Sequence, residues 1–233
     1  MRRLAIVATL LWTVPCLSAQ SGWTVRSAPA VEFWYHAMAL VGLQGFGALP
    51  LYDPGYGPAV RSGREARGIG PTALERQAPS LRAAFEADST FELLHFLPLY
   101  ASTATPEQLL TGNAPGLAAA ALHTREQRAL FDRFLAAART DLDAAWSTER
   151  RTRAAAQNAA LAEVERRWAD AIAPAIGGYL ERYGLTSGVI VPVPGLGTDG
   201  RFLAGSAESP ALVAVQLPRD SAHAADAAFF VVR

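Results

Sequence analysis

The stretch from Thr124 to Gly184 constrains the fold of this chain more than any other part of the sequence. Apolar residues recur in it at three- and four-residue steps, in two series that each form one stripe of an α-helix. Thr124 and Gln127 form a capping box that predicts the helix start, and Gly184 suits the left-handed conformation that ends a helix. The series are Leu130, Phe131, Phe134, Leu135, Ala138, Leu142, Ala145 and Trp146, then Leu161, Val164, Trp168, Ile172, Ile176, Tyr179 and Tyr183.

The polar segment Ser147–Arg153 separates the two series. The chain either turns there into an antiparallel helix pair or continues as one long helix, and we favour the pair, a long helix pair over 124–184. Pro174 removes a backbone hydrogen bond and clashes with the preceding turn, so the second helix is expected to kink around Asp170. The spacing places Trp168 on the buried stripe and Arg166 on the opposite face.

The chain begins with the features of a secretory signal peptide, which we assign to residues 1–19. Arg2 and Arg3 precede an apolar run, Leu4–Leu17, and Ala19 offers a small-residue cleavage site. The run is shorter than the ~20 residues that a transmembrane helix needs. A membrane anchor, or a lipid on Cys16, is the alternative. We therefore expect a secreted or periplasmic protein, with no membrane association after the signal is removed.

Composition excludes several classes of site. Cys16 is the only cysteine and would leave with the signal, so the mature protein has no disulfide and no thiolate metal site. The formal net charge is zero, and Arg alternates with Asp and Glu along the predicted helices. Interleaved charge is typical of solvated helix faces, and no basic stripe indicates nucleic-acid binding.

Residues 20–123 are expected to form an N-terminal helical region. Ser27 is expected to cap a helix that begins near Pro29. The segment 50–70 is rich in Gly and Pro and is predicted to be a long irregular loop. A helix is predicted over Pro71–Ala87.

Two further helices are predicted in the same region. Ser89 and Glu92 resemble a capping box at the start of a short helix. Thr105, Pro106 and Gln108 mark another helix start, and Gly112–Pro115 is expected to interrupt that helix.

Beyond Gly184 the apolar period changes to two, which indicates β-structure over part of 185–233. Gly188–Val193, Arg201–Gly205 and Leu212–Leu217 are the predicted strands, and a final helix begins in Ser221–Arg233. We expect this helix to be truncated at Arg233. The fold class is therefore predicted to be α+β and mostly helical, with a small C-terminal sheet.

The segment Gly195–Gly200 matches the dinucleotide-binding fingerprint letter for letter. That fingerprint requires a helix immediately after its last glycine, where the helix N-terminus holds the pyrophosphate. Arg201–Gly205 is strand-like instead. We interpret the segment as a hairpin turn and expect no cofactor.

The histidines give no metal-ligand spacing. Glu92 and His95 form one E-x-x-H pair, but a di-iron bundle needs a second copy, which the sequence lacks. His36, His123 and His223 lie far apart in the sequence. The G-x-S-x-G nucleophile motif is also missing, so the catalytic residues are unknown. The aromatic run Phe33, Trp34 and Tyr35 is expected to lie in the core.

The order of elements between Ala160 and Arg233 resembles one known family. A helix ends in Tyr179-Leu180-Glu181-Arg182-Tyr183-Gly184, the strands Val189–Pro192 and Leu212–Leu217 follow, and a helix begins in Asp226–Arg233. This order is similar to the region just upstream of the zinc helix in secreted gluzincin-type metallopeptidases.

The resemblance implies an H-E-x-x-H helix downstream of this segment, and it transfers no catalytic residue because that motif is missing here. It also implies that Ala211–Gln216 is an edge strand against which a peptide lies.

Two functions are consistent with the sequence. The first is the non-catalytic part of a zinc metallopeptidase-like protein, inactive as given, which binds zinc only through a downstream segment. The second is a non-catalytic periplasmic or surface module that binds a partner protein. The expected partner is a peptide or protein in both cases, and nucleic acid in neither.

Overall fold

A four-stranded mixed sheet joins the two ends of the described chain. The computed structural model describes residues 22–44, 50–205, 210–218 and 220–224. The strands are β1 (Gly22–Val25), β2 (Ser187–Val193), β3 (Arg201–Leu203) and β4 (Ala211–Gln216), in the order β1-β2-β4-β3. The first three strands in that order are parallel, and β3 is antiparallel to β4. The predicted α+β, mostly helical class is confirmed.

Three details of the sheet differ from the sequence prediction. Strand β1, which was not predicted, supplies an outer parallel strand from the N-terminal region. Strand β4 lies inside the sheet between β2 and β3, so its assignment as an edge strand is wrong. The segment Gly195–Gly200 is not a hairpin turn, because β2 and β3 are separated by β4. A strand, not a helix, follows this segment, which also removes the dinucleotide interpretation.

Helices cover both faces of the sheet. Val191 of β2 and Ala214 of β4 pack into the larger core with the N-terminal helices. Ile190 and Val213 point to the other face and pack against Trp168. Successive side chains of each strand therefore pack into two separate cores, which explains why these strands are apolar throughout.

The larger core is built around α1 (Pro29–Val41), in which every residue after Pro29 is buried. The aromatic run Phe33, Trp34 and Tyr35 is fully buried, as predicted. The indole of Trp34 donates to the Leu94 carbonyl, and the Tyr35 hydroxyl donates to the His95 carbonyl. These bonds satisfy the polar atoms that two large buried side chains carry with them.

A long helix runs over 125–182. It comprises α6 (Arg125–Asp141), α7 (Ser147–Arg167) and α8 (Ala173–Arg182), linked by π-helical segments at Leu142–Trp146 and Trp168–Ile172.

The predicted ends of this helix are confirmed by the Thr124–Gln127 capping box and by Gly184 in the left-handed region. Ser147–Arg153 is helical, so the favoured turn is wrong and the continuous helix is correct. The second π segment contains Asp170, where the Pro174 disturbance was predicted.

The N-terminal region contains more helix than predicted. Within the Gly/Pro-rich segment, α2 spans Tyr56–Glu65, because tertiary contacts of one buried arginine outweigh weak local propensity. Helix α3 spans Ala73–Glu86 and is capped by Thr72 and Glu75. The short helices α4 (Pro106–Gln108) and α5 (Ala114–Ala121) are joined by a π segment, Leu109–Asn113, so the predicted interruption is a widened turn of one helix.

Two predicted caps are wrong. Ser89–His95 is a 3₁₀ helix capped by the Asp88 side chain, and a second 3₁₀ helix spans Leu97–Ala101. The N-cap of α1 is Ala28, and the Ser27 hydroxyl donates to Glu32 instead.

A 3₁₀ turn at Ser221–His223 follows β4. The predicted signal peptide and most of the final helix lie outside the described residues. No helix in the described part of the chain is long and apolar enough to cross a membrane.

Candidate functional site

A cluster of charged side chains is buried in the N-terminal half of the molecule, centred on Arg64 of α2. Only 1% of the Arg64 surface is exposed. Its guanidinium donates to both oxygens of Asp141, at 2.7 and 3.2 Å, and to both oxygens of Glu149, at 2.9 and 3.1 Å. Glu75 lies 3.0 Å from the same group. The arginine therefore joins three carboxylates in a nearly dry environment.

Ionisation in this cluster is stabilised by mutual pairing. Burial alone would raise the pKa of Asp141, but hydrogen bonds and charges from His36 and Arg64 outweigh it and hold that pKa well below its usual range. The same competition between burial and Arg64 lowers the pKa of Glu149. Burial would lower the pKa of Arg64, yet its two partner carboxylates raise it. All three groups are charged at neutral pH.

The first π segment of the long helix explains how Asp141 and Glu149 meet the same guanidinium. In a regular α-helix, residues eight positions apart lie about 80° apart around the axis. The π segment at Leu142–Trp146 accommodates one extra residue per turn, so the pair behaves like residues seven apart and faces one direction. Arg67 completes the arrangement with a 2.6 Å contact to Glu149.

Asp141 also begins a chain of hydrogen bonds that reaches the surface. Its carboxylate accepts from Thr72 at 2.7 Å and from His36 Nε2 at 2.9 Å. The other ring nitrogen of His36, Nδ1, is hydrogen-bonded to the Tyr56 hydroxyl, 2.8 Å away. Tyr56 is half-buried and lines two surface clefts. Asp141 and His36 thus fix the orientation of a tyrosine that lines two clefts.

A second, smaller polar group surrounds His95. The Tyr52 hydroxyl lies 2.8 Å from His95 Nδ1, and Glu92 lies 3.5 Å from Nε2. Burial, aided by the charge of Arg201, lowers the pKa of His95 to about 4, so the ring is neutral at physiological pH. Burial raises the pKa of Glu92. The E-x-x-H pair is therefore a contact within one helical turn, and a tyrosine hydroxyl bonds to the other nitrogen of its histidine.

The predicted candidate residues do not come together. His36 and His95 belong to the two separate polar groups described above, whereas His123 and His223 are exposed. Among the described residues, no three His, Cys, Asp or Glu side chains are arranged to hold a metal ion. Sequence reasoning missed Arg64, Asp141, Glu149 and Tyr56, whose only local signal is the Thr72–Glu75 capping box beside Arg64.

The outer strand β3 is the other feature relevant to binding. In the described part of the chain it is hydrogen-bonded to β4 on one side only. Phe202 points to one face of the sheet and is 45% exposed. On the other face, the Arg201 guanidinium lies 5.4 Å from the ring centre of Phe96, which is also exposed. Aromatic surface therefore borders both faces of this strand.

Comparison of the chain with protein-family models, with curated proteins and with solved structures gives no match.

Proposed function

We propose that this chain is the exported, non-catalytic part of a zinc metallopeptidase-like protein and that it binds an extended peptide along β3. The observation that carries the proposal is the open side of β3, the antiparallel outer strand of an otherwise parallel sheet. An outer strand offers unpaired backbone groups to which a peptide can add as a further strand. The signal-like sequence of residues 1–19 supports export.

The side chains around β3 favour a peptide with apolar residues. An added strand would project alternate side chains toward the two faces of the sheet. Phe202 borders one face and Phe96 borders the other, and both rings are exposed. Burying such rings on binding removes apolar surface from water and adds affinity to the main-chain hydrogen bonds.

The helical turn after β4 supports the relation to metallopeptidases. A helical turn, Ser221–His223, begins shortly after β4, in the order that the resembling family has ahead of its zinc helix. Zinc content tests this relation. We expect no stoichiometric zinc in the 233-residue chain after dialysis, and one zinc per molecule in a chain extended along its reading frame. Mass spectrometry of both proteins measures it.

The control for the zinc experiment is the extended chain with its added histidines changed to Gln, which should lose the metal. Tight zinc in the 233-residue chain would show that one of His36, His95, His123 or His223 is a ligand. Zinc in neither protein would refute the peptidase relation.

Peptide binding is tested separately on the 233-residue chain. Fluorescence anisotropy with a labelled, apolar, extended peptide should show binding that Phe202→Ser weakens by about tenfold, since it removes a contact on one face of the added strand. Tyr183→Ser, which changes another exposed aromatic residue, is the matched control and should leave affinity unchanged. Equal affinities for the three proteins would exclude β3 as the binding site.

A second candidate, a module that binds a partner protein through its helices, is favoured by one observation on α8. The rings of Tyr179 and Tyr183 contact each other at a tilt of 44°, with centres 4.6 Å apart, and the residues are 52% and 62% exposed. Exposed tyrosine pairs are typical of protein interfaces. If Tyr183→Ser abolishes capture of a partner that Phe202→Ser still binds, this candidate replaces the first.

A further inference from the structure

A crevice runs across the carboxyl ends of the parallel strands β2 and β4, between α7 and the segment before α2. Val193 and Gln216, the last residues of these strands, lie side by side in the sheet. The residues that follow them, Pro194 and Leu217, line the crevice together with Arg153 of α7. In sheets of parallel strands, ligands commonly bind outside the carboxyl ends. None of the lining residues belongs to β3, so this crevice is separate from the peptide edge.

The size and lining of the crevice fit a small organic molecule. Its volume is about 260 Å³, near the lower end of ligand pockets. Apolar groups form most of the wall, and the polar side chains among them are all half-buried. The apolar residues are Ala156, Ala160, Pro194, Leu196, Leu217 and Pro218, and the polar ones are Asp53, Tyr56, Arg153, Gln157 and Gln216.

Two arginines of α7 face this end of the sheet, and they differ in their partners. Arg150 donates from Nε to Glu32, at 3.0 Å, and from Nη2 to the Ser27 hydroxyl, at 2.9 Å. Its role is to fasten α7 to the start of α1. Arg153 donates from Nε to the Glu149 backbone carbonyl at 3.4 Å and has no ion pair within 4.0 Å among the described residues, although it is half-buried in the wall of the crevice. A half-buried guanidinium of this kind suits a carboxylate ligand.

The lining of the crevice also includes a charge of the other sign. Asp53 is half-buried, and among the described residues it makes no salt bridge. Its Oδ1 accepts from the Gly55 amide at 2.8 Å, and the carboxylate retains further acceptor positions. The lining of the crevice therefore includes a cation from α7, an anion from the segment before α2 and several apolar residues.

The walls are held in place by contacts outside the crevice. The Asp53 amide donates to the Gly195 carbonyl at 3.0 Å, and the Gly197 amide donates to the Leu51 carbonyl at 2.7 Å. Gly195 has a φ of +90°, and an added Cβ would meet the Tyr56 ring at 3.1 Å. Tyr56 is fixed in turn by His36. The polar groups are thus positioned before a ligand arrives, which lowers the entropy lost on binding.

We propose that this crevice binds a free α-amino acid with an apolar side chain. The ligand carboxylate pairs with Arg153, the ammonium pairs with Asp53, and the side chain covers the apolar wall. A zwitterionic dipeptide carries the same two charged groups. Comparing the affinities of ligands of one and two residues distinguishes it from a free amino acid. The inference does not depend on the proposed peptidase relation.

Isothermal titration calorimetry of the 233-residue chain with L-leucine tests the proposal. We expect saturable one-to-one binding. N-acetyl-leucine, which lacks the ammonium, and leucinamide, which lacks the carboxylate, should each bind about tenfold more weakly, because each loses one charged contact. Leucyl-leucine should bind more weakly than leucine if the volume limits the ligand to one residue, and more tightly if the site takes dipeptides, which would overturn the single amino acid.

Variants assign the contacts. Arg153→Gln should weaken leucine binding about tenfold and leave leucinamide unchanged, whereas Asp53→Asn should weaken leucine and leave N-acetyl-leucine unchanged. Arg151→Gln, which removes a charge from an exposed position of the same helix, is the matched control. Circular dichroism confirms that the variants are folded. Absence of leucine binding, or equal binding by Arg153→Gln and Arg151→Gln, would overturn the proposal.

Discussion

The long helix carries two clusters of arginines and carboxylates that share their chemistry and differ in their surroundings. In the first, Asp141 and Glu149 hold Arg64 of another helix, and all three residues are buried. In the second, Arg166 contacts Glu163 at 2.6 Å within the same helix, and 57% of the arginine side chain is exposed. The first cluster joins distant parts of the chain, whereas the second lies on a solvated face of one helix.

This difference shows that the sequence pattern of charges does not reveal their energetic weight. In the buried cluster each ion has lost its water, so the partner that replaces the water is indispensable. In the exposed cluster, water and salt screen the pair and compete with it. The pKa of Glu163 is lowered to about 2, chiefly by hydrogen bonds from Arg166 and Arg167, but solvent screening limits what this contributes to stability.

The largest expected effect is that of Arg64→Ala. The change leaves Asp141 and Glu149 buried without their shared cation, so the free energy of unfolding should fall by about 5 kcal/mol. Urea denaturation followed by circular dichroism measures it. A loss of less than about 1 kcal/mol, typical of surface pairs, would show that water reaches the cluster and would remove the contrast between the two regions.

Trp168→Ala should cost about 3 to 5 kcal/mol by lost burial and by the cavity that it leaves. Trp168 is 2% exposed and packs against Trp23, 5.8 Å between ring centres, under the sheet. Trp168 is only two positions from the exposed Arg166, so comparing this variant with Arg166→Ala tests which face of the helix is buried. The measurement is the same urea titration. Equal costs at positions 166 and 168 would mean that this face of the helix is assigned incorrectly.

The pH dependence of stability should distinguish the clusters. Since the folded pKa of Asp141 is depressed, its contribution is fully present above the unfolded pKa near 4 and is lost as pH falls toward the folded value. The destabilisation caused by Asp141→Asn should therefore shrink by on the order of 2 kcal/mol between pH 5 and pH 2. Urea midpoints across this range check it. Glu163→Gln is the exposed control and should show no comparable change.

The smallest expected effect is that of Arg166→Ala, which should leave the urea midpoint unchanged within error, because its partners remain solvated. High salt should not alter this result. A clear destabilisation would indicate that the exposed cluster is coupled to the packing of Trp168 nearby. It would contradict the expected difference in stability between the buried and the exposed cluster.

The parts of the fold that follow from local chemistry could be predicted from the sequence. The capping box at Thr124, the glycine at Gly184, the three C-terminal strands and the buried stripe through Trp168 each depend on residues close together in the chain. The helix α2 could not be predicted in this way, because its glycines and Pro58 disfavour a helix locally. Buried contacts of Arg64 with residues far along the chain stabilise it.

The candidate site could not be predicted from neighbouring residues in the sequence, for the same reason. His36 looked isolated because its partners, Tyr56 and Asp141, lie on other helices. Asp141 belongs to a helix whose interleaved charges are typical of a solvated face, and nothing near it in the sequence indicates its buried partner Arg64. The order of the strands also escaped prediction, since it places β4 between two strands that adjoin each other in the chain. Pairing between distant segments, not local periodicity, determines each of these features.

The π segment at Leu142–Trp146 has a consequence for how this gene can change in length. Removing a single codon there would leave Asp141 and Glu149 seven positions apart in a regular α-helix, so the two carboxylates would still face one direction and the downstream helix would keep its orientation relative to α6. Removing a codon from α7 between Glu149 and Val164 would instead rotate everything downstream of it by about 100°, and Val164 and Trp168 would then leave the sheet. The spacing between Glu149 and Val164 is therefore fixed, whereas the π segment is the place in the long helix where a one-residue deletion is tolerated.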